Sequence, residues 1–402
     1  MIKHFLKILA MGAILVTAAG FILQSNAETV LKEIRQFQAS KRAEIKTQAD
    51  FDKMNAEVRA KAKEALKGLD VSKVDAKDAL AWAQVASLAA EHKMACDLCE
   101  KFLTGSPSPA DRYTAQMLML SSCNALEEGD MLAMMIPMVE ADTKDRALTY
   151  VQQVAGIYAE TIQKEKGVDA AIKAIEAAEK KLTPSNYTTE QEKTRFDAAR
   201  VAVASAKAEM YIAEKRKADA LKVLDKAIAE IGAGTPSGKR LSTIKNQHTI
   251  VGMVAPKLNI ERGYGSLTSL DQLKGKVVLV DFFAHWCGPC KAAFPDMRKM
   301  LAELQPKGLE IVGATRYYGY YGQERNMKPD DEFAKMADFI KEHELPWPVV
   351  YVAADDFSTY GVTGIPHVAV IDREGKVHSI KIGYSAASFA KFRSEIEAML
   401  KN

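Results

Sequence analysis

The sequence has few cysteines and almost no net charge, and both shortages exclude classes of protein. Five cysteines in 402 residues are too few for a small scaffold held together by disulfides. The formal net charge of +3 gives no general argument for a nucleic-acid partner. Hydrophobic residues make up 48% and charged residues 27%, close to ordinary globular usage. This composition excludes a disordered tail, a collagen and a membrane protein with many spans.

Long hydrophobic runs are also scarce, and the one at the N-terminus is short. Lys3 and Lys7 precede an uncharged, mostly apolar run over 8–23, and Ser25 and Ala27 then supply small residues at the two positions that a signal peptidase reads. This pattern predicts a cleaved secretory signal peptide over 1–27 and a mature protein in the periplasm. An uncleaved membrane anchor is the alternative, although the run is shorter than the ~20 residues that usually span a bilayer.

Glycine and proline are rare in the first half of the chain. Residues 28–231 contain five glycines and four prolines, whereas residues 232–402 contain sixteen and nine. Because these residues interrupt regular structure, we predict an all-α helical domain, solenoid- or bundle-like, over 28–231. The Gly- and Pro-containing stretch that follows predicts a linker over 232–249, and a mixed α/β domain over 250–402 completes the chain.

The helical half shows apolar residues at helical spacing and a weak sign of a repeat. The spacing of Ala83, Ala95 and Pro107 resembles the small–small–proline pattern of a tetratricopeptide repeat. An irregular helical bundle is the alternative. Both arrangements favour contact with a partner or dimerisation over chemistry. The pattern predicts helices at 29–47, 50–67, 76–91, 94–103, 110–126, 144–164, 168–181, 188–214 and 217–231.

Three cysteines lie in the helical half. We expect Cys96, Cys99 and Cys123 first as buried packing residues and second with a disulfide from Cys123 to Cys96 or Cys99. A metal site that includes His92 ranks third, because the predicted helix break near His92 would scatter the ligands. A group of methionines at helical spacing predicts core rather than a copper site; it comprises Met131, Met134, Met135 and Met138.

The second half carries a CxxC at the junction of a strand and a helix. The apolar, β-branched run 276–283 predicts a buried strand, and Cys287 and Cys290 follow directly before a helical pattern. A thiol at a helix N-terminus has a lowered pKa, so Cys287 is the expected nucleophile and Cys290 the buried resolving thiol. A zinc half-site is the alternative, but the domain has no further cysteine. We predict a redox-active disulfide and no other cofactor or metal.

These residues resemble a known family. Residues 280–291 read VDFFAHWCGPCK and closely resemble the active-site segment of thioredoxins. Further segments resemble the extracytoplasmic TlpA/ResA-like thiol-disulfide oxidoreductases, which implies an α/β thioredoxin fold over about 250–402. They are VGMVAP at 251–256, LKGKVVLV at 273–280, the segment from 338 to 349, and YGVTGIPHVAVIDREGKV at 360–377.

The resemblance assigns substrate contacts around the CxxC. It implies that Ile365-Pro366 is a cis peptide facing the disulfide, where the backbone of Ile365 meets an extended substrate. A Trp beside the disulfide is expected to cover it and to touch substrate. The expected substrate-binding residues are Trp286, Gly288, Pro289, Ile365 and Pro366.

Two positions bear on acid–base chemistry. Asp281 lies in the apolar strand, where burial raises a carboxyl pKa, so it is the expected acceptor of the Cys290 proton. Ala293 stands where ResA-like reductases often carry Glu, which weakens a role in cytochrome c maturation. We expect His285 to be a variable surface residue, with a charge effect on the thiolate as the alternative. The tyrosine-rich segment 316–322 predicts a rigid surface loop, with a partner surface as the alternative.

Together these features predict an extracytoplasmic thiol-disulfide oxidoreductase that reduces protein disulfides. A membrane protein is the expected electron donor, and the helical half is expected to bind a partner or to form a homo-oligomer. A disulfide oxidase or isomerase of the same fold is one alternative. Another alternative is a helical adaptor whose thioredoxin-like domain only binds partners. The intact cysteine pair argues against it. A peroxidase is disfavoured because its single reactive cysteine with Thr and Arg is not found.

Overall fold

The computed structural model describes residues 27–401, so the predicted signal peptide lies almost wholly outside the described residues. Within the described part, no helix is long and apolar enough to cross a membrane. The chain divides into two compact units, with the division between Met210 and Tyr211. The first unit is helical and the second contains the mixed α/β domain, as the composition predicts.

The helical unit contains helices that pack on their neighbours in sequence, chiefly α3 on α4 and α4 on α5. Its helices are α1 (Ala27–Arg42), α2 (Gln48–Ala65), α3 (Ala76–Leu88), α4 (His92–Leu103), α5 (Pro109–Ala125), α6 (Gly129–Met135), α7 (Lys144–Gln153), α8 (Ala159–Lys166), α9 (Val168–Glu179) and α10 (Glu190–Ala213), the last of which crosses into the second unit. A π-helical turn, Val154–Tyr158, joins α7 to α8.

Two local predictions in this unit are wrong. Helix α6 begins at Gly129, where the sequence suggested only a break; a Cβ at Gly129 would meet the Glu165 side chain, so glycine allows close helix packing. The predicted break near His92 falls slightly earlier, at Ala90, whose φ is +59°. Helix α4 therefore begins at His92. The repeat-like spacing stays a prediction.

The methionine group is only partly in the core. Met135 packs partly buried against the core of the helical unit, whereas Met134 and Met138 are exposed. The prediction of a core role is therefore wrong for Met134 and Met138. Two thioether side chains thus face solvent, as does the side chain of Leu126.

The predicted linker over 232–249 is wrong, because most of it is helical. Helix α11 (Lys217–Ile231) is followed by α12 (Pro236–Thr249). The hydroxyl of Thr235 accepts a hydrogen bond from the backbone N–H of Gly238 over 3.0 Å, and Pro236 occupies the first turn. A Thr at the N-cap followed by Pro in the first turn favours the start of a helix. This local preference outweighs the tendency of the nearby glycines to interrupt helices.

Helix α12 packs on the α/β domain rather than connecting to it loosely. Thr243 Oγ1 lies 2.6 Å from Ser358 Oγ, and the side-chain amide of Asn246 donates to the Ser358 carbonyl over 3.0 Å. The hydroxyl of Thr363 donates to the side-chain carbonyl of Gln247 over 3.0 Å. The apolar side chains of α12 at 241 and 244 are both buried. The second unit therefore includes α11 and α12 from before residue 250.

A six-stranded mixed sheet in the order β1-β6-β3-β2-β7-β8 forms the centre of the second unit. Strands β2, β3 and β6 are parallel, and β1, β7 and β8 join antiparallel. The strands are β1 (Ile260–Tyr264), β2 (Val277–Phe282), β3 (Leu309–Thr315), β4 (Tyr320–Tyr321), β5 (Glu324–Arg325), β6 (Val349–Val352), β7 (His367–Ile371) and β8 (Val377–Ile382), of which β4 and β5 form a separate hairpin.

Helices cover both faces of this sheet and leave β2 in its middle. The helices are α13 (Gly288–Leu304), α14 (Pro329–Glu342), α15 (Ala354–Thr359) and α16 (Ala386–Lys401). Every residue of β2 is buried, as expected of a central strand covered on both sides. Residues of α13, α14 and α16 share one buried cluster with Leu279, while Phe357 of α15 lies in the cluster on the opposite face.

Candidate active site

The cysteine pair lies where β2 leads into α13. Cys287 is the N-cap residue of α13, and its Sγ accepts a hydrogen bond from the backbone N–H of Cys290 over 3.1 Å. Cys287 and Cys290 form a disulfide, with their Cα atoms 5.3 Å apart. A helix N-terminus stabilises negative charge on an N-cap sulfur, so this geometry favours the thiolate of Cys287 once the disulfide is reduced.

The rim of the disulfide is exposed while both sulfurs are covered. Cys287 and Cys290 are 3% and 1% exposed. Trp286 is 47% exposed, and Gly288 and Pro289 are exposed as well. The three predicted contact residues thus form an accessible surface next to the buried disulfide.

The loop before β7 completes this side of the domain. The Ile365–Pro366 peptide bond is cis, as the family resemblance implied. Pro366 is buried, and its carbonyl accepts the backbone N–H of Gly383 over 2.8 Å. Ile365 is half-buried and packs against the cluster that contains both cysteines. The structure therefore brings Ile365 and the disulfide into the same part of the domain.

Asp281 is buried inside the sheet and faces the cysteine side. It is 1% exposed, and burial raises its carboxyl pKa to about 7. Successive side chains of a strand alternate between faces, so Asp281 projects to the same face as Leu279, which shares a cluster with Cys287 and Cys290. Oδ1 of Asp281 has no hydrogen-bond partner among the described residues. The site thus contains a carboxyl group able to hold or release a proton near neutral pH.

The predictions for His285 are wrong, because its side chain is neither on the surface nor charged. It is only 6% exposed, and burial, helped by the charge of Lys291, lowers its pKa to about 4. The imidazole makes edge contacts with Tyr318 and Tyr320. An uncharged ring in this position adds packing rather than positive charge to the active-site segment.

The tyrosine-rich segment packs beside the active site. The ring of Tyr318 makes an edge contact with Trp286 at a centroid distance of 5.5 Å. The backbone N–H groups of Tyr318 and Gly319 both donate to the carboxylate of Glu332, each at 2.8 Å. Glu332 is 1% exposed and belongs to α14. The segment is therefore a fixed wall next to Trp286.

Sequence reasoning missed the part that Glu332 plays. The residue looks like one of several acidic residues in the first turn of a helix, a common arrangement. The signal available was its place in α14, a few residues after a tyrosine- and glycine-rich segment whose backbone N–H groups need acceptors. Only the tertiary fold shows that Glu332 and not Asp330 or Asp331 turns inward.

The three remaining cysteines are free thiols. Cys99 and Cys123 are buried and Cys96 is half-buried, in agreement with the prediction that they are packing residues. No disulfide joins the three. Across residues 27–401, no group of three or more His, Cys, Asp or Glu side chains is placed to hold a metal ion. His92, Cys96 and Cys99 do lie on one helix, α4.

Comparison with known proteins agrees with this geometry. The Redoxin family model matches residues 250–400. ResA, a thiol-disulfide oxidoreductase of Bacillus thuringiensis, is 28% identical over 134 residues, which cover 33% of this chain and 70% of ResA. ResA of Bacillus subtilis is 29% identical over 133 residues, covering 33% of this chain and 67% of that protein.

Solved structures include a similar domain. The thioredoxin domain of a thiol-disulfide oxidoreductase from Bacteroides vulgatus is 27% identical and covers 35% of this chain and 96% of its own, with a TM-score of 0.28. The match to the Redoxin model falls on the part of the chain that holds the cis-proline loop and the Cys287–Cys290 disulfide. This chain therefore carries a Redoxin domain of the thioredoxin family over residues 250–400, and it is similar to the thiol-disulfide oxidoreductase ResA.

Proposed function

We propose that the chain reduces disulfides in protein substrates through a dithiol cycle at Cys287 and Cys290. The Cys287 thiolate attacks a substrate disulfide and forms a mixed disulfide, releasing the first substrate thiolate. Cys290 then attacks Cys287 Sγ, which releases the second substrate thiolate and closes the Cys287–Cys290 disulfide. The substrate gains two electrons and the enzyme loses two.

One observation carries the proposal: a buried carboxyl on the cysteine face of the sheet has a pKa of about 7. Cys290 is as buried as Asp281. Its thiol must lose a proton before it attacks, because the thiolate is the nucleophile. An ionised Asp281 accepts that proton, and the protonated carboxyl then gives it to the departing substrate thiolate. A carboxyl at its ordinary pKa of 3.8 would be a much weaker acceptor at pH 7.

The direction of the cycle is tested by the reduction potential of the Cys287–Cys290 couple in glutathione buffers. A value near −270 mV, about that of thioredoxin, is the result expected for a reductase. A value near −120 mV, about that of DsbA, would instead support the alternative of a disulfide donor or isomerase.

The order of the steps is tested with single cysteine variants and a protein disulfide substrate. Cys290→Ser is expected to accumulate a mixed disulfide between Cys287 and substrate, whereas Cys287→Ser forms none and loses turnover. Equal turnover by the wild type and Cys287→Ser would contradict the enzymatic cycle and support an adaptor that only binds partners.

We also propose that the chain works outside the cytoplasm with a membrane protein as its electron donor. Support comes from the signal-like segment over 1–27 and from the similarity to ResA. N-terminal sequencing of the protein exported by a Gram-negative host tests this, with a mature chain starting at Glu28 expected. Retention of the whole chain in the cytoplasm would contradict it.

For the helical unit we propose contact with a partner or with a second copy. The exposed side chains of Met134 and Met138 support this, because flexible thioethers adapt to varied apolar surfaces. Sedimentation of the full chain with and without Met138→Lys tests self-association. If both proteins sediment as monomers, self-association through this surface is ruled out, and the proposed contact is with a different protein.

A further inference from the structure

The strand beside β2 ends in an arginine at the same edge of the sheet as the disulfide. Strands β2 and β3 are parallel neighbours, with Phe282 paired to Ala314, so their carboxyl ends lie together. The chain leaves β2 towards Cys287 and leaves β3 at Arg316. The cis-proline loop reaches this edge as well, because His367 at the start of β7 pairs with Phe282. Open α/β sheets bind their ligands outside the carboxyl ends of the strands, which is where Arg316 lies.

Aromatic rings hold the side chain of Arg316 in place. Its Cζ lies 5.3 Å from the centroid of the Tyr318 ring and 5.1 Å from that of the Phe357 ring. Tyr318 is the residue whose ring meets Trp286 beside the disulfide, and the Phe357 ring lies 5.0 Å from that of Phe282 at the end of β2. A guanidinium that packs on aromatic faces is already oriented, so it loses little freedom when it binds an anion.

The positive charge of Arg316 has no carboxylate partner in the described part of the chain. The residue is half-buried, and its Nε is buried without a hydrogen-bond partner. The buried carboxylate of Glu332 accepts two backbone N–H groups instead. Nearby Arg262, in contrast, forms an ion pair with Asp330 at 2.6 Å. A partly desolvated cation without a counter-charge favours an anionic ligand.

We propose that Arg316 selects protein substrates that carry an acidic side chain close to the cysteine under attack. The inference rests on the dithiol cycle proposed above and adds to it the class of substrate. A carboxylate of a substrate segment bound beside Trp286 and Ile365 meets the guanidinium at the same edge of the sheet. Hydrogen bonds between arginine and a carboxylate are charge-assisted and directional, so they orient the substrate disulfide without taking part in the exchange of electrons.

The experiment uses the reduced full chain and disulfide-bridged peptides that differ at one residue. Each substrate is the symmetrical disulfide of a short peptide with blocked ends and one cysteine between alanines. A single Glu, Gln or Lys replaces one of the two alanines on either side of the cysteine. Oxidation of Cys287 and Cys290 in a single turnover is followed by acid quench, alkylation and mass mapping, so no electron donor is required.

Each rate is divided by the rate of dithiothreitol with the same peptide. This correction is required because a neighbouring charge also changes the reactivity of the peptide disulfide itself. In at least one of the four positions, we expect the Glu peptide to react about 10-fold faster than the Gln peptide, as a hydrogen bond to a charged group implies. Equal corrected rates at all four positions would overturn the proposal and leave the dithiol cycle standing. No oxidation by any peptide would contradict the dithiol cycle itself.

Matched arginine variants locate the preference. Arg316→Gln is expected to lower the ratio of the Glu rate to the Gln rate to about 1, and Arg316→Glu is expected to favour the Lys peptide. The control is Arg325→Gln, because Arg325 also packs on a tyrosine, with its Cζ 4.4 Å from the Tyr320 ring, but is exposed. That variant should keep the wild-type ratio. An equal loss of the preference in Arg316→Gln and Arg325→Gln would overturn the assignment to Arg316.

A further measurement needs no substitution and so does not depend on variants that fold. In 1 M NaCl the Debye length falls to about 3 Å, so the preference of the wild type for the Glu peptide should decrease. The corrected rate of the Gln peptide serves as the reference at each salt concentration. A preference that is the same at low and high salt would contradict recognition of the substrate by charge.

Discussion

The imidazole of His285 stacks on the ring of Tyr321, with ring centroids 4.6 Å apart and ring planes 21° apart. Since the lowered pKa keeps His285 uncharged at neutral pH, this contact is one between two neutral rings. It fixes the residue before Trp286 to the tyrosine segment. The shape of the surface beside the disulfide therefore depends on a loop that is distant in sequence.

The substitution Glu332→Gln is expected to loosen that surface. The amide side chain keeps one acceptor oxygen but loses the charge that receives both backbone N–H groups. We expect a loss of about 1–3 kcal/mol in unfolding free energy, the cost of an unsatisfied buried group. We also expect kcat/KM to fall for protein disulfides while the rate with a small disulfide is unchanged.

Glu324→Gln is the matched control for that substitution. Glu324 lies in the neighbouring hairpin, where its carboxylate forms an exposed ion pair with Lys335 at 3.0 Å. Exposed pairs contribute little, so stability and turnover are expected to stay near those of the wild type. Similar losses in both variants would show that charge near the hairpin matters and that the buried hydrogen bonds do not.

Asp281→Asn is expected to stabilise the protein in alkali while it slows catalysis. The folded carboxyl has a pKa of about 7 against an ordinary 3.8, so it lowers stability progressively as the pH rises from about 4 to 7. At pH 8 the variant should be more stable by up to about 4 kcal/mol, and at pH 3.5 by almost nothing. Urea unfolding of the oxidised proteins measures this, with exposed Asp271→Asn as a control that gives no gain.

The same variant tests the proton-transfer role. The resolution of the mixed disulfide is expected to slow by about 10²-fold at pH 7, because Asn accepts no proton. The wild-type rate should rise with pH through about 7, and that rise should vanish in the variant. An unchanged rate and pH profile would contradict a role for Asp281 in catalysis and leave its effect on stability intact.

His367 is expected to make the protein sensitive to acid. Burial lowers its pKa from 6.5 to about 4. Its titration therefore leaves the free energy of unfolding unchanged above pH 6.5 and decreases it as the pH falls towards 4. His367→Phe keeps a planar ring and removes the titration. We expect wild type to lose about 3 kcal/mol more than the variant between pH 7 and pH 4, as measured by urea unfolding. Parallel losses would contradict a buried neutral imidazole.

Gly361 and Gly364 form a matched pair in the loop before Pro366. Gly361 has a φ of +70°, and a Cβ there would lie 2.3 Å from the Gln247 backbone nitrogen; a Cβ at Gly364 meets nothing within 4 Å. Gly361→Ala should therefore lower the unfolding free energy by more than about 1 kcal/mol and Gly364→Ala by much less. Equal effects would mean that α12 does not constrain this loop.

The strand, the CxxC and the following helix were predictable because their signals are local. A β-branched run marks β2, and the residues from 287 onwards begin a helix. The burial of Asp281 followed from its apolar neighbours for the same reason. The surroundings of His285 were not predictable, because its contacts come from residues 318–321, on a loop that only the tertiary fold brings near.

Composition also misled where a short signal opposed it. The glycines between 232 and 238 suggested a linker, yet the Thr235–Pro236 pair starts α12. In the helical unit, the sequence left the partner of Cys123 open between Cys96 and Cys99. All three cysteines are free thiols, so neither disulfide is formed.

The docking of α12 determines where this domain can be cut or joined to another protein. A chimera spliced at residue 250 would discard Leu241 and Ile244 with their buried surfaces, and Ser358 would lose both of its partners on α12. A junction placed before Lys217 keeps α11 and α12 with the sheet. Transplantation of the oxidoreductase should thus begin about two helices earlier than the Redoxin match suggests.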